Sequence, residues 1–347
     1  MRNIVLPVVL ALSLLLSGCG AAVPTAPAKE SSRSFFAMDT YMSLRADGAE
    51  EALLDEAVAW VEDLESKIST TREDSEVFGL NRDGVGGLSE EPAALLRRAL
   101  ALCEQTGGAL DVTVYPVVRA WGFTTGAYRV PEAAELEALL RSVDYRRVTL
   151  TEDGQVRLSP GMELDLGSVA KGYVGDRLCA LLRAGGVESA LLDLGGNVQA
   201  LGGKPEGGDW RVGVRDPSGE GLLGVLSVRD SAVVTSGGYE RYFTDEAGRL
   251  WWHIMDPATG YPAQNGLISV SVVGGEGLVC DALSTALFVM GPSRAADYWR
   301  THSGFDMILV TEDGELLLTP DLADRFTPSE GSAYTLRLID REAGAAA

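Results

Sequence analysis

Histidine is almost missing from this chain of 347 residues: only His253 and His302 occur, with no His-Glu-x-x-His or similar cluster. A zinc enzyme built on imidazole ligands is thereby disfavoured. Cysteine is scarce as well. Outside the first twenty residues stand Cys103, Cys179 and Cys280, an odd number at spacings that fit no zinc pattern. They read as small buried apolar residues rather than a disulfide framework. Basic residues are outnumbered, 29 against 50 acidic, for a net charge of −21. Nucleic acid and anionic membrane surfaces are poor partners for such a field. A phosphate compound would need a local metal ion or helix N-terminus to overcome it.

What the chain does have begins with its leader. Arg2 precedes an apolar run too short to span a bilayer, and the run closes on Leu16-Ser-Gly-Cys19. That order resembles the lipobox of bacterial lipoproteins, in which cleavage leaves a lipid-bearing cysteine. Residues 1–18 are then a signal peptide, and 19–33, rich in Ala, Pro and Ser, a tether from Cys19. The competing reading is an ordinary secretory leader with a chance cysteine. Either one places the body, 34–347, outside the cytoplasm. No other segment is apolar enough to cross a membrane.

The body alternates strand and helix signals. Residues 34–46 read as one strand. Apolar residues at 54, 57, 58, 61, 64 and 68 predict a helix over 51–68. A second helix is expected from a Ser89 cap to Gly107-Gly108, then an extended stretch over 109–123, and a third helix over 131–143. A hairpin turns at Asp153-Gly154, a strand covers 162–166, and a helix follows to about Gly185. Paired strands flank residues 191–203, with further strands at 210–215, 224–229 and 231–236. Another hairpin turns at 245–248. A strand at 267–273, helices at 278–290 and 293–302 and a hairpin at 312–314 close the body. Strand clusters and long helices without a regular βαβ cadence give an α+β fold of two intimate halves, mixed but mainly antiparallel.

Four stretches carry chemistry. In DLGSVAKGY (165–173), Ser168 is placed to cap a helix, with Lys171 one turn on and Gly167, Gly172 and Gly175 allowing close approach. A capped helix with a solvated lysine is the plainer alternative. In CDALSTA (280–286), Asp281 and Thr285 share the polar face of an apolar helix, an oxygen pair suited to Mg²⁺. A carboxylate at a helix start and a self-bonded threonine would look the same. His253 leads the turn-rich HIMDPATGYP (253–262) and is a candidate base, though a lone histidine is commonly structural. TSGGYERY (235–242) suits a flat ligand only weakly.

With Met38-Asp-Thr, STTREDSE (69–76), Asn81 and GALDVTV (108–114), these motifs stand in the order found in FAD:protein FMN transferases, and the chain resembles that ApbE-type family from Met38 to about Gly291. The resemblance implies a T-fold-like structure and Mg²⁺-dependent transfer of the FMN half of FAD to a threonine of an acceptor protein, releasing AMP. Met38, Thr71, Ala109, Leu110, Asp111, Asp165, Lys171 and Met255 would contact FAD. Ser168, Asp281 and Thr285 would supply metal oxygens. Acceptors would be threonine-motif proteins, redox subunits among them. Two departures stand out: Thr71 lies where an aromatic ring is usual, and Asp39 where glycine is usual. Two other activities fit the same residues: an FAD pyrophosphatase using water, and a flavin carrier that breaks no bond.

Overall fold

A computed structural model describes residues 30–341 apart from Glu220. The leader, Cys19 and the tether up to residue 29 lie outside the described residues. The expected tether ends earlier than residue 33, because Glu30–Arg33 already belong to a strand.

The stretch expected as one strand is two. Strands β1 (Glu30–Ala37) and β2 (Thr40–Asp47) pair antiparallel, from Glu30↔Asp47 to Ala37↔Thr40. They turn through Met38 and Asp39, whose φ angles are 49° and 58°. Two successive positive φ values make a turn whose twist matches the strands, but it usually calls for Asn-Gly or Asp-Gly. Met-Asp gives no such signal.

Helix α1 (Glu51–Ile68) forms as its periodicity predicts, burying Leu54, Ala57, Val61, Leu64 and Ile68. The short α2 (Glu76–Asp83) was not anticipated; only Val77 and Leu80 are buried, and Gly84 ends it at φ 70°. After β3 (Val85–Gly87), α3 (Glu90–Gln105) follows Ser89, whose side chain makes no capping bond. The stretch expected to be extended contains α4 (Tyr115–Ala120), with Pro116 in its first turn, where a missing N–H costs nothing. Helix α5 (Ala133–Leu140) is shorter than expected. Strands β4 (Thr149–Leu150) and β5 (Gln155–Arg157) form the expected hairpin. Residues 162–166 are not a strand; Glu163 makes one isolated parallel bridge to Val114.

Helix α6 (Gly167–Ala184) starts one residue before Ser168, so Ser168 lies within its first turn and Leu166 occupies the cap position. Then come β6 (Ala190–Asp193), β7 (Val198–Leu201), β8 (Trp210–Arg215), β9 (Leu222–Val228), β10 (Ser231–Gly237), β11 (Tyr242–Thr244), β12 (Leu250–Trp252) and β13 (Leu267–Gly274). Helix α7 (Gly277–Thr301) is broken at Gly291, φ 78°, ahead of Pro292, which gives the two helical segments expected. Strands β14 (Phe305–Thr311), β15 (Glu315–Leu318), β16 (Phe326–Pro328) and β17 (Thr335–Leu338) complete the body.

Nine strands form one sheet in the order β1-β2-β6-β7-β10-β13-β14-β15-β17, antiparallel except for the β15–β17 pair. One face packs on α1, α3, α6 and α7 through a core that includes Met42, Leu44, Val174, Leu287 and Phe288. The opposite face, through Val233, Val273, Ile308 and Val310, packs on a three-stranded sheet of β16, β9 and β8. A separate cluster of Val117, Trp121, Phe123, Leu136, Trp251 and Met255 ties α4 and α5 to the β11–β12 hairpin. The fold is α+β and mainly antiparallel. Among the described residues no helix is long and apolar enough to cross a membrane.

Candidate active site

The site grows from the crossing of α6 and α7. A Cβ on Gly172 would lie 2.2 Å from the carbonyl oxygen of Gly277 and 2.7 Å from Cβ of Asp281. Glycine therefore lets the two backbones touch, and the Gly172 N–H donates to Oδ2 of Asp281 at 2.8 Å. A Cβ on Gly175 would meet Oε1 of Gln199 at 2.2 Å. The close approach expected of these glycines is to the protein's own chain.

Asp281 is 6% exposed. Desolvation pushes its carboxyl up to about 6; the Lys171 ammonium and the Gly172 N–H pull the other way, and Asp176 pushes the same way as burial. One turn on, Ser284 donates from Oγ to the carbonyl of Asp281 at 2.8 Å and shares a 2.8 Å hydroxyl contact with Ser236 at the end of β10. Thr285 Oγ1 is 3.4 Å from the same Ser236 hydroxyl. The start of α7 is fixed by Asp176 of α6, whose carboxylate accepts from the N–H groups of Gly277 at 2.7 Å and Leu278 at 2.9 Å. It also accepts from Nε2 of Gln199 at 2.8 Å.

Asn197, in the β6–β7 turn, stands beside Asp281 and favours its carboxylate, yet its buried Nδ2 completes no hydrogen bond. Lys171 is half-buried and makes no ion pair with a described residue.

The remaining candidates lie around the β1–β2 turn and the segment before His253. Met38 donates its N–H to Oε1 of Glu65 at 2.8 Å, which pins the β1–β2 turn to α1. Asp39 Oδ2 faces Nη2 of Arg241 at 3.7 Å. The Arg241 carbonyl accepts from the main-chain N–H of His253 at 3.1 Å and lies 3.3 Å from its ring Nδ1. His253 is half-buried, and desolvation, then the charges of Arg241 and Lys171, push its pKa down to about 4. Thr71 lies in the exposed loop after α1, its hydroxyl 3.3 Å from that of Ser69.

Asp111 and Asp165 are joined through one backbone. The Asp165 N–H donates to the carbonyl of Val112 at 2.8 Å, and its Oδ1 accepts from Gly167 N–H at 2.8 Å. Asp111 Oδ1 accepts from the N–H and hydroxyl of Thr113 at 2.8 and 2.6 Å, and Oδ2 from Tyr145 N–H at 3.1 Å. Desolvation pushes both carboxyls up. Ala109 and Leu110 turn their side chains into the core, and Met255 sits in the aromatic cluster with its backbone bridged to Pro262. Cys103, Cys179 and Cys280 are free and buried, as the sequence predicts.

Among the described residues no three His, Cys, Asp or Glu side chains cluster to hold a metal. The donors of Ser168, Asp281 and Thr285 are all oxygens, with a single carboxylate. Such a set suits Mg²⁺ that keeps waters and substrate phosphates as its other ligands, and a buried carboxylate disfavoured as an anion is one that a cation would stabilise. The residues fit the ion.

Asp176, Gln199, Asn197 and Glu65 are given no role by the sequence, and Ser236 falls within the 235–242 stretch without a role of its own. For Asn197 the adjacent Gly-Gly pair was the available signal; Asp176, Gln199 and Glu65 carry none.

On a mainly antiparallel sheet, a carboxylate, a lysine and hydroxyls gather where two helices cross. The chain belongs to the ApbE family, whose model matches residues 38–309. It is 34% identical to the FAD:protein FMN transferase of Treponema pallidum, over 90% of this chain and 92% of that one. It is also 34% identical to the enzyme of the same name from Klebsiella pneumoniae, over 80% and 88%. The ApbE protein of Thermotoga maritima superposes with a TM-score of 0.77 at 30% identity, covering 87% of this chain and 97% of that one. Pseudomonas stutzeri flavinyl transferase ApbE superposes at 0.76 and 26%, covering 89% and 97%.

Proposed function

We infer that this chain is an FAD:protein FMN transferase. It binds FAD as substrate, transfers the FMN moiety to a threonine hydroxyl of an acceptor protein and releases AMP. The observation that carries this is the match along nine-tenths of the chain to a relative of that name, on a fold that brings Lys171 and Asp281 to one junction.

The chemistry divides among the residues as follows. Ser168, Asp281 and Thr285 would hold Mg²⁺, which neutralises diphosphate charge and polarises the bond to be broken. Lys171 adds a second positive charge at the start of α6. Met38, Asp111 and Asp165 would meet the two halves of FAD, Asp111 and Asp165 through carboxylates fixed by backbone N–H groups; Ala109, Leu110 and Met255, whose side chains are buried in core clusters, would meet it through their backbone. The acceptor threonine oxygen attacks the phosphorus on the FMN side. The P–O bond to the AMP half breaks, and the hydroxyl proton passes to the free ring nitrogen of His253, whose imidazole is neutral at pH 7.

Thr71 favours a second reading of the same site. It places a hydroxyl, not a ring, in an exposed loop, so water can take the threonine's place and yield free FMN and AMP.

The chain is further proposed to be lipidated on Cys19 and held to the outer face of a bacterial membrane, with acceptors among threonine-motif subunits of redox complexes. The test of the reaction incubates the chain with FAD, Mg²⁺ and an acceptor fragment bearing a threonine motif. Intact mass follows the acceptor, and nucleotides are read from the same tube. An acceptor heavier by one FMN, AMP released and EDTA blocking both is the expected result. Free FMN and AMP with an unchanged acceptor would identify the hydrolase, and FAD left intact would overturn both.

A further inference from the structure

The β1–β2 turn and the segment leading to His253 are joined at one point, and that point is Arg241. We propose that Arg241 is the positioning residue for His253: its main-chain carbonyl fixes which ring nitrogen carries the proton, and its guanidinium, paired with Asp39, ties the β1–β2 turn to the segment that holds the ring. The proposal rests on the reading of His253 as the base.

The first half follows from donor and acceptor roles. A carbonyl oxygen only accepts. The Arg241 carbonyl lies 3.3 Å from Nδ1 of His253 and also takes the histidine's own N–H at 3.1 Å. Nδ1 must therefore carry the hydrogen, which leaves the lone pair on Nε2. The Phe123 ring, its centroid 6.3 Å from the imidazole in an edge arrangement, packs against it from α4's side of the cleft.

The second half follows from charge placement. Two cations bear on the imidazole, Arg241 from the segment after β10 and Lys171 from α6; among the described residues no carboxylate pairs with the ring. The carboxylates that bear on Arg241 are Asp39, at 3.7 Å, and Asp165. Asp39 sits at φ 58°, where glycine is the easy choice and aspartate is one of the few side chains tolerated. Its neighbour Met38, at φ 49°, donates its N–H to the Glu65 carboxylate. A left-handed aspartate thus pairs with the guanidinium of the residue whose carbonyl holds the base. Glycine at this position would keep the turn and lose the latch.

The test exploits the two-histidine composition. In ¹⁵N-labelled full-length chain, the imidazole resonances of His253 are assigned by their loss in His253→Asn, leaving those of His302. In the native chain Nδ1 should carry the proton, with protonation of the ring near pH 4. Arg241→Gln removes the charge while keeping the carbonyl; the midpoint should rise by about one unit, and the acid limb of the kcat/KM profile for AMP release should move with it. Arg241→Lys should restore both. In Asp39→Asn, which retains the tolerance for a left-handed backbone, the midpoint should stay low while FAD turnover falls several-fold. A hydrogen found on Nε2 overturns the proposal, as does FAD turnover undiminished in a folded Asp39→Asn chain. If Arg241→Gln does not fold, the tautomer in the native chain and the Asp39→Asn pair of readouts decide. Undiminished AMP release and acceptor labelling by His253→Asn would overturn the base assignment instead, without touching the tautomer or the titration.

Discussion

Asp281 is the residue on which most depends, and its environment makes opposite demands in the presence and absence of a cation. Asp281→Ala is expected to abolish AMP release by at least about a thousandfold while the circular dichroism stays native. His253→Asn should lower transfer about a hundredfold or more and leave FAD affinity within a few-fold; an equal loss in both would make it a binding residue. In metal-stripped protein the buried carboxylate has a second consequence. Its folded pKa, about 6, lies above the ordinary carboxylate value, so the folded state holds the proton more tightly than the unfolded one. The ionised form therefore costs stability above pH 6, and that cost vanishes as pH falls through about 4. Asp281→Asn should accordingly unfold later than the native chain in EDTA at pH 7, by up to about 2 kcal/mol. Denaturant midpoints at pH 7 and pH 4.5 measure the narrowing gap.

At the scale of elements, the α6–α7 crossing sets the site, and Gly172 is its weak point. Gly172→Ala would drive a methyl into the backbone of Gly277, with a loss of about 1–3 kcal/mol and of the N–H bond that orients Asp281. Gly79 in α2, with open space around it, is the contrast: Gly79→Ala should gain about 0.5–1 kcal/mol. Urea unfolding of the two variants checks both. The helices that carry long apolar stripes, α1 and α3, were legible because 3.6-residue periodicity survives whatever they pack on. The elements that were not legible each have a physical reason. The Met38–Asp39 turn lacks glycine, α4 is six residues begun by a tyrosine and a proline, and α2 buries only two side chains. Residues 162–166 alternate like a strand but find no ladder partner beyond Glu163. Of the site, the residues with chemistry in their own side chains could be read from sequence. Those that act by holding them, Asp176, Gln199 and Asn197, could not, because their roles exist only where β6, β7, α6 and α7 meet.

At the scale of the whole molecule, the nine-stranded sheet draws on both halves of the chain, since β1 and β2 at one edge join β6, and β10, β13, β14, β15 and β17 extend the other. No cut between the halves would leave a complete sheet or a complete site. The proposed anchor lies upstream of this body. Cys19→Ser is expected to move the protein from the membrane pellet to the soluble fraction with FAD turnover unchanged within about twofold; retention in the pellet would exclude lipid on Cys19 as the anchor.

The strand that begins the body also fixes a reach. Eight residues of β1 separate its first residue, Glu30, from the turn at Met38, about 26 Å of extended chain. The eleven residues from Cys19 to Glu30 add at most about 40 Å. If the proposed lipid on Cys19 moors the enzyme, it would work like a lamp on a short cord: the turn at Met38 would sweep a shell no deeper than about 65 Å above the bilayer. Proposed acceptor threonines carried beyond that height would go unmodified however well their sequence fits, and lengthening the cord would bring them within range.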